Sequence, residues 1–207
     1  MKSFGTEQES FWAGNFGDEY SRRNASSQII AGNLHLFSRI FDKIEGIASV
    51  LEFGANIGMN LQAIKLLLPS AALSAVEINN TAADELRKIE SLQVYHQSIL
   101  SFNAETTYDL VFTKGVLIHI NPDRLKDVYN KLYNSSRKYI VIAEYYNPTP
   151  VEIGYRGHAG KLFKRDFAGE FMAAYSDVTM IDYGFSYHGD STFPQDDITW
   201  FLLKKDN

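Results

Sequence analysis

The stretch Ser49-Val50-Leu51-Glu52-Phe53-Gly54-Ala55-Asn56-Ile57-Gly58 constrains this chain more than any other segment of its length. A short apolar run that ends in glycine reads as a buried strand. The two glycines then let the backbone swing into a helix where a side chain would obstruct it. Asn60 to Leu68 takes up helical spacing with Leu61, Ile64, Leu67 and Leu68, and Pro69 closes the segment. Strand, glycine turn and helix in succession open a βαβ unit, which commits the chain to a parallel sheet.

The alternation continues. Ala72 to Ile78 is a second strand, Thr81 to Ile89 a helix capped from Asn79, Asn80 or Thr81, and Val94 to His96 a brief strand. Tyr108 to Thr113 is a strand with Asp109 near its start. Pro122 to Tyr133 is a helix with Asn121 as cap, and Lys138 to Glu144 is a strand. Upstream, Ile29, Ile30, Leu34, Phe37, Ile40, Phe41 and Ile44 recur at helical spacing, with Gly46 as the stop. Downstream, 147–161 reads as a long loop, Leu162 to Tyr175 as a helix, and Val178 to Phe185 and Thr199 to Lys204 as a late antiparallel hairpin. The expected fold is α/β: a doubly wound, mostly parallel, Rossmann-like sheet with a late antiparallel edge strand. One domain is expected over residues 1–207, with 1–48 an N-terminal helical cap segment.

Composition narrows the function classes. The 207 residues are 45% hydrophobic and 22% charged, as in a globular protein, and no apolar run approaches membrane-spanning length. Acids near the N-terminus stand where an export signal needs an apolar core, so a cytoplasmic protein is expected. With no cysteine there is neither a disulfide framework nor a thiol nucleophile. A net charge of −5 and the lack of any long basic run disfavour a nucleic-acid partner. A small-molecule substrate is expected instead, with no membrane partner; nothing in the sequence specifies an oligomeric state. His188, Asp190, Asp196 and Asp197 match no standard metal spacing, so no metal is assigned.

The loop's chemistry comes from its acids. Gly54 and Gly58 do not make the three-glycine dinucleotide pattern, and the lysine of a P-loop is missing. Glu52, before the first glycine, would repel a pyrophosphate and suits a cationic ligand such as an α-amino group or a sulfonium. Glu77 ends the next strand, 77 − 58 = 19 positions past the second glycine. A carboxylate near that spacing bonds ribose hydroxyls in doubly wound nucleotide folds.

With these features the chain resembles the class I S-adenosylmethionine-dependent methyltransferases. Val50–Gly58 looks like their first motif and Ala75-Val76-Glu77-Ile78 like their second; Tyr108–His119 is similar to their fourth strand and the turn after it. At Gln97-Ser98-Ile99-Leu100, where the family reads adenine with an aspartate, this chain has Ser98. A narrower resemblance joins Phe11–Tyr20, Arg23-Asn24 and Glu52–Asn60 to the methylases associated with pseudaminic acid biosynthesis, which implies a nine-carbon surface sugar or nucleotide sugar as acceptor.

The resemblance implies S-adenosylmethionine as cofactor, held by Glu52, Gly54, Ala55, Asn56, Gly58, Glu77, Ile78, Ser98, Ile99 and Lys114. Tyr20, Arg23 and Asn24 are expected to fold over it, with Arg23 toward its carboxylate. His119 and Glu144 are the candidate general bases. Tyr145, Tyr146, Tyr155, Arg156 and His158 are expected at the substrate, with Lys161 and Arg165 in the same lid. Two other functions remain open at this stage: a nicotinamide-dependent oxidoreductase and a cofactor-binding module without activity.

Overall fold

A computed structural model describes residues 4–23 and 26–206. Two short helices, α1 (Glu7–Ala13) and α2 (Asn15–Arg23), precede α3 (Ser27–Phe41). The sheet strands then alternate with helices: β1 (Ser49–Phe53), α4 (Met59–Leu67), β2 (Ala72–Glu77), α5 (Asn80–Leu86), β3 (Leu92–His96), β4 (Tyr108–Lys114), α6 (Leu125–Ser135) and β5 (Ser136–Glu144). A hairpin of β6 (Val151–Tyr155) and β7 (His158–Lys164) follows, and α7 (Phe167–Ala174), β8 (Val178–Ser186) and β9 (Ile198–Lys205) complete the chain.

The main sheet has seven strands in the order β3-β2-β1-β4-β5-β9-β8. β9 is the one strand that runs against the rest; it pairs antiparallel with both β5 and β8, one place in from the edge. Strand parity sorts side chains to two faces. Val50 packs with Leu36, Phe37, Ile40, Leu61 and Ile64, placing α3 and α4 on one side. Leu51 and Phe53 pack with Val128, Leu132, Phe167 and Phe171, placing α6 and α7 on the other. The strands are buried on both faces, which is why their sequences are apolar runs and not alternating patterns. At the sheet end away from the glycine turn, Asp109 accepts from the Ala48 and Ser49 N–H groups at 2.9 and 3.0 Å and pairs with Arg137. That tie fixes β1, β4 and β5 in register.

Two expectations are corrected. The region 147–161 is not an irregular loop, and 162–164 are not helical: Val151, Glu152 and Ile153 pair with Lys164, Phe163 and Leu162 in a separate two-stranded sheet. Its turn is Arg156-Gly157, with φ of +49° and +85°. Two consecutive positive φ values give a primed turn whose twist matches the flanking strands. The second correction is that Pro122–Arg124 forms a 3-10 turn before α6 begins at Leu125, with Asn121 Oδ1 accepting from the Asp123 N–H at 3.0 Å.

Candidate active site

The carboxyl ends of β1, β2 and β4 open into a cavity of about 520 Å³. Ligands of doubly wound sheets bind at this end, where the loops diverge. The glycine turn forms its floor. Gly54 N–H and Ala55 N–H donate to Val76 O at 2.8 and 3.3 Å, which bends the chain across the tip of β2. Gly54, Asn56 and Gly58 all have positive φ (+72°, +48° and +81°). The space each glycine leaves is taken by protein. A Cβ on Gly54 would stand 2.6 Å from Val116 Cγ2, and one on Gly58 would stand 2.7 Å from Ile89 Cδ1. Gly54, Ala55 and Asn56 line the cavity; Gly58 lies behind it, in the packing of α4 against α5.

The two acids occupy different layers. Glu77 lines the cavity; its Oε2 accepts from the Asn56 N–H and its Oε1 from the Asn79 N–H, both at 2.7 Å. Burial pushes its pKa up, against the backbone N–H groups of Asn79, Asn56 and Ile78. Four lone-pair positions serve a carboxylate, so acceptor capacity remains for a ligand beyond these N–H groups. Glu52 is fully buried and not part of the cavity wall, because it shares the Val50 side of β1. It accepts from Asn60 Nδ2 at 2.6 Å, and burial raises its pKa to about 8. The cavity meets Asn60 there, whose Oδ1 is buried with no hydrogen-bond partner among the described residues. Lys114, at the end of β4, also lines the cavity, with no ion pair among the described residues. Burial lowers its pKa while the charges of Glu52, Asp196 and Glu144 raise it.

After β4 the chain makes a 3-10 turn, Leu117–His119. Glu144 holds that turn. Its Oε1 accepts from the Val116 and Leu117 N–H groups, each at 3.0 Å, and its Oε2 from the Ile118 N–H at 3.4 Å. Glu144 is 2% exposed and does not reach the cavity, which corrects its candidacy as a base at the reacting atoms. Burial lifts its pKa to about 7 against those N–H donors. His119 does line the cavity. Its Nδ1 lies 2.6 Å from Lys161 O, a carbonyl that can only accept, so Nδ1 carries the proton and Nε2 keeps a lone pair. Burial lowers the His119 pKa to about 4, so the ring is neutral.

The N-terminal helices wall the cavity from above, and the β6–β7 hairpin packs against them. Ser21 Oγ lies 2.6 Å from Asn56 Oδ1, and Asn79 Nδ2 donates to Asp18 Oδ1 at 3.0 Å and to Trp12 O at 3.2 Å. Gln8 Nε2 donates to Gly160 O at 2.9 Å, and Lys161 pairs with Glu7. Trp12 lies over His119 with ring centroids 4.6 Å apart, and Tyr155 covers His119 at 4.8 Å. Tyr20 lines the cavity, with its pKa raised to about 12 by burial.

Of the expected site residues, Tyr20, Gly54, Ala55, Asn56, Glu77, Ile78, Ser98, Ile99, Lys114 and His119 line one cavity. Arg23 is exposed at the end of α2, and Asn24 lies outside the described residues. The aromatic and cationic residues expected at the substrate are placed one layer out. Tyr155 and His158 pack on Phe16 and, for His158, on Phe11; Arg156 is exposed on the hairpin turn; Tyr146 packs on Phe201. Tyr145 reaches the cavity only through a hydrogen bond to Asp196, which lines it. Sequence reasoning missed Glu9, Trp12, Asn33, Asn60 and Gln195, all of which line the cavity. The dense aromatic run from Phe11 to Tyr20 was the one available signal.

The whole arrangement is the class I methyltransferase fold. The structure superimposes on the 1,6-didemethyltoxoflavin-N1-methyltransferase of Burkholderia thailandensis, solved with its substrate and S-adenosylhomocysteine, with a TM-score of 0.69 and 13% identity over 96% of this chain and 87% of that one. It matches the magnesium protoporphyrin IX methyltransferase of Synechocystis PCC 6803, solved with S-adenosylmethionine, with a TM-score of 0.67 and 11% identity over 99% and 100% of the two chains. A plantazolicin methyltransferase bound to a substrate analogue and S-adenosylhomocysteine matches with a TM-score of 0.64 and 13% identity over 92% and 90%. No protein-family model and no curated sequence matches the chain, so the narrower resemblance to pseudaminic acid methylases gains no support from sequence comparison.

Proposed function

We propose that this protein transfers a methyl group from S-adenosylmethionine to a small molecule. One observation carries the proposal: a single cavity joins the β1 glycine turn, the Glu77 carboxylate, the Lys114 ammonium and the neutral imidazole of His119. The S-adenosylmethionine bound in one of the superimposed methyltransferases, and the S-adenosylhomocysteine bound in the other two, support it. So does the reversed strand β9, which departs from the all-parallel order of dinucleotide-binding sheets and weighs against a nicotinamide enzyme.

The residues present fit the donor. Glu77 is suited to ribose hydroxyls, Lys114 to a carboxylate, and the unpartnered Asn60 Oδ1 to an ammonium. When bound, the donor supplies a methyl group on a sulfonium, open to in-line displacement. The chain's contribution is alignment and exclusion of water: α1, α2 and the hairpin cover the site, and Trp12 and Tyr155 pin the His119 ring. Lys161 O sets the His119 tautomer and leaves Nε2 as the proton acceptor of a ring that lines the cavity. A base with a pKa near 4 takes a proton from the acidic cation formed when a weakly basic aromatic or heterocyclic nitrogen is methylated, and poorly from a neutral hydroxyl. This favours a nitrogen acceptor over an alcohol. The finer expectation of a surface-sugar acceptor rests on the N-terminal resemblance alone.

Calorimetric titration tests the donor, and mass spectrometry of small molecules labelled from S-adenosylmethionine in cell-extract fractions tests the acceptor. Micromolar binding of S-adenosylhomocysteine with none of NAD is expected. The reverse preference, or label entering only RNA or protein, would sink the proposal. Donor binding with no labelled product would favour the non-catalytic module.

A further inference from the structure

Beyond Glu77, toward the β3 edge, the cavity is walled by the aliphatic side chains of Ile78, Ile99 and Leu100. One free-standing acid, Glu9, reaches into this apolar slot from α1. Ser98 Oγ donates to Glu9 Oε1, and Thr6 Oγ1 donates to Glu9 Oε2 at 3.1 Å. Ser98 Oγ also accepts from the Leu100 N–H at 3.0 Å, so the hydroxyl is fully oriented and its proton is spent on Glu9.

Glu9 stands three residues after the Thr6 cap, where a glutamate ordinarily turns back to the backbone N–H of the cap residue. Here its carboxylate takes the Thr6 hydroxyl instead and leans away from its helix to a serine 89 residues along the chain. Two of the four acceptor positions of the carboxylate stay available. An aliphatic wall beside an acceptor-only group suits a flat heterocycle that carries a donor at its rim.

We propose that Glu9 reads the exocyclic amino group of the bound nucleoside base, so that α1 completes a 6-aminopurine site that β3 and its loop supply only in part. This deepens the reading of the cavity as an adenosyl site and rests on it. Glu9 acts by direct contact with the base, and the same helix carries Trp12 over His119.

The test is calorimetric titration with S-adenosylhomocysteine and with S-inosylhomocysteine, whose 6-oxo group offers an acceptor where the adenine offers a donor. The wild-type protein is expected to prefer the amino compound by about 10- to 100-fold, the span of a charge-assisted hydrogen bond. In Glu9→Gln, whose amide serves as donor or acceptor, the preference should shrink to within about threefold. The double variant Glu9→Gln, Ser98→Asp should regain it by returning a carboxylate from the β3 side. A Glu9→Gln protein that binds both compounds more weakly, with the preference intact, would assign Glu9 to capping alone and overturn the proposal. Wild-type protein that binds neither compound would overturn the adenosyl reading itself. Thermal unfolding of each variant, expected within a few degrees of wild type, shows that the ratios compare folded proteins.

Discussion

Gly54→Ala separates two penalties that the glycine turn otherwise hides. At a φ of +72°, an alanine sits in the left-handed region, which costs roughly 1–2 kcal/mol. Its Cβ would also stand 2.6 Å from Val116 Cγ2 and 3.0 Å from Val116 Cγ1, and such overpacking costs on the order of 1–3 kcal/mol. Together the loss is about 2–5 kcal/mol. Val116→Ala removes both γ carbons and leaves its Cβ 3.4 Å from the new methyl, an ordinary contact. The double variant should therefore recover the steric part and keep the backbone part. Urea unfolding of the wild type, both single variants and the double variant closes the cycle, with an expected favourable coupling of about 1–3 kcal/mol. Ligand affinity should return alongside it, since the turn regains its path across Val76 O. If the double variant loses as much stability as the two singles combined, the close approach to Val116 is not what the glycine protects, and the reasoning fails.

Three further outcomes are expected. The His119 pKa is depressed from 6.5 to about 4, so the unfolded chain binds the extra proton between those values; wild-type stability should fall by about 3 kcal/mol as the pH drops through that window. His119→Asn should lack that component in urea titrations at pH 7 and pH 4.5, and an identical fall in both proteins would refute the assignment. Glu144→Gln replaces one of the two acceptor oxygens with an NH2 that must face at least one of the three backbone N–H groups, and should lose about 2–4 kcal/mol of stability, with S-adenosylhomocysteine affinity changed only a few-fold. Full stability with abolished turnover would return Glu144 to the chemistry. Lys114→Met removes an enclosed cation that has no ion pair among the described residues; unfolding should show equal or greater stability, while calorimetry should show S-adenosylhomocysteine bound about 10- to 100-fold more weakly. Unchanged affinity would take Lys114 out of the donor site.

The parallel sheet was legible because each strand is an apolar run that ends at a turn or a capping residue: Phe53 before Gly54, Glu77 before Ile78-Asn79, Glu144 before the 145–150 segment. These signals are local, and burial on both faces writes them into consecutive residues. The β6–β7 hairpin was not legible in that way. Val151 and Ile153 are exposed, Gly154 and Gly160 interrupt the pattern, and the pairing is held at Arg156-Gly157 by φ angles that the sequence only hints at.

At the site, the residues on strand tips were readable and the ones above them were not. Glu52 illustrates the limit. Its place before the glycine suggested a ligand contact, yet strand parity turns it to the Val50 side, where it orients Asn60. Glu144 looked like a base at a strand end, and three N–H groups of a turn 26 to 28 residues upstream claim it.

By itself the sequence determined the βαβ frame, the glycine turn and the carboxylate at the tip of β2, because strand burial, left-handed backbone and spacing within one unit are properties of neighbouring residues. Only the tertiary structure decided which side chains meet in the cavity. Glu9 meets Ser98 across 89 positions, Lys161 O sets the His119 tautomer across 42, and Trp12 covers that same ring. Contacts of that range depend on how α1 and the hairpin dock over the sheet, a geometry set by packing over the whole chain and carried by no local pattern.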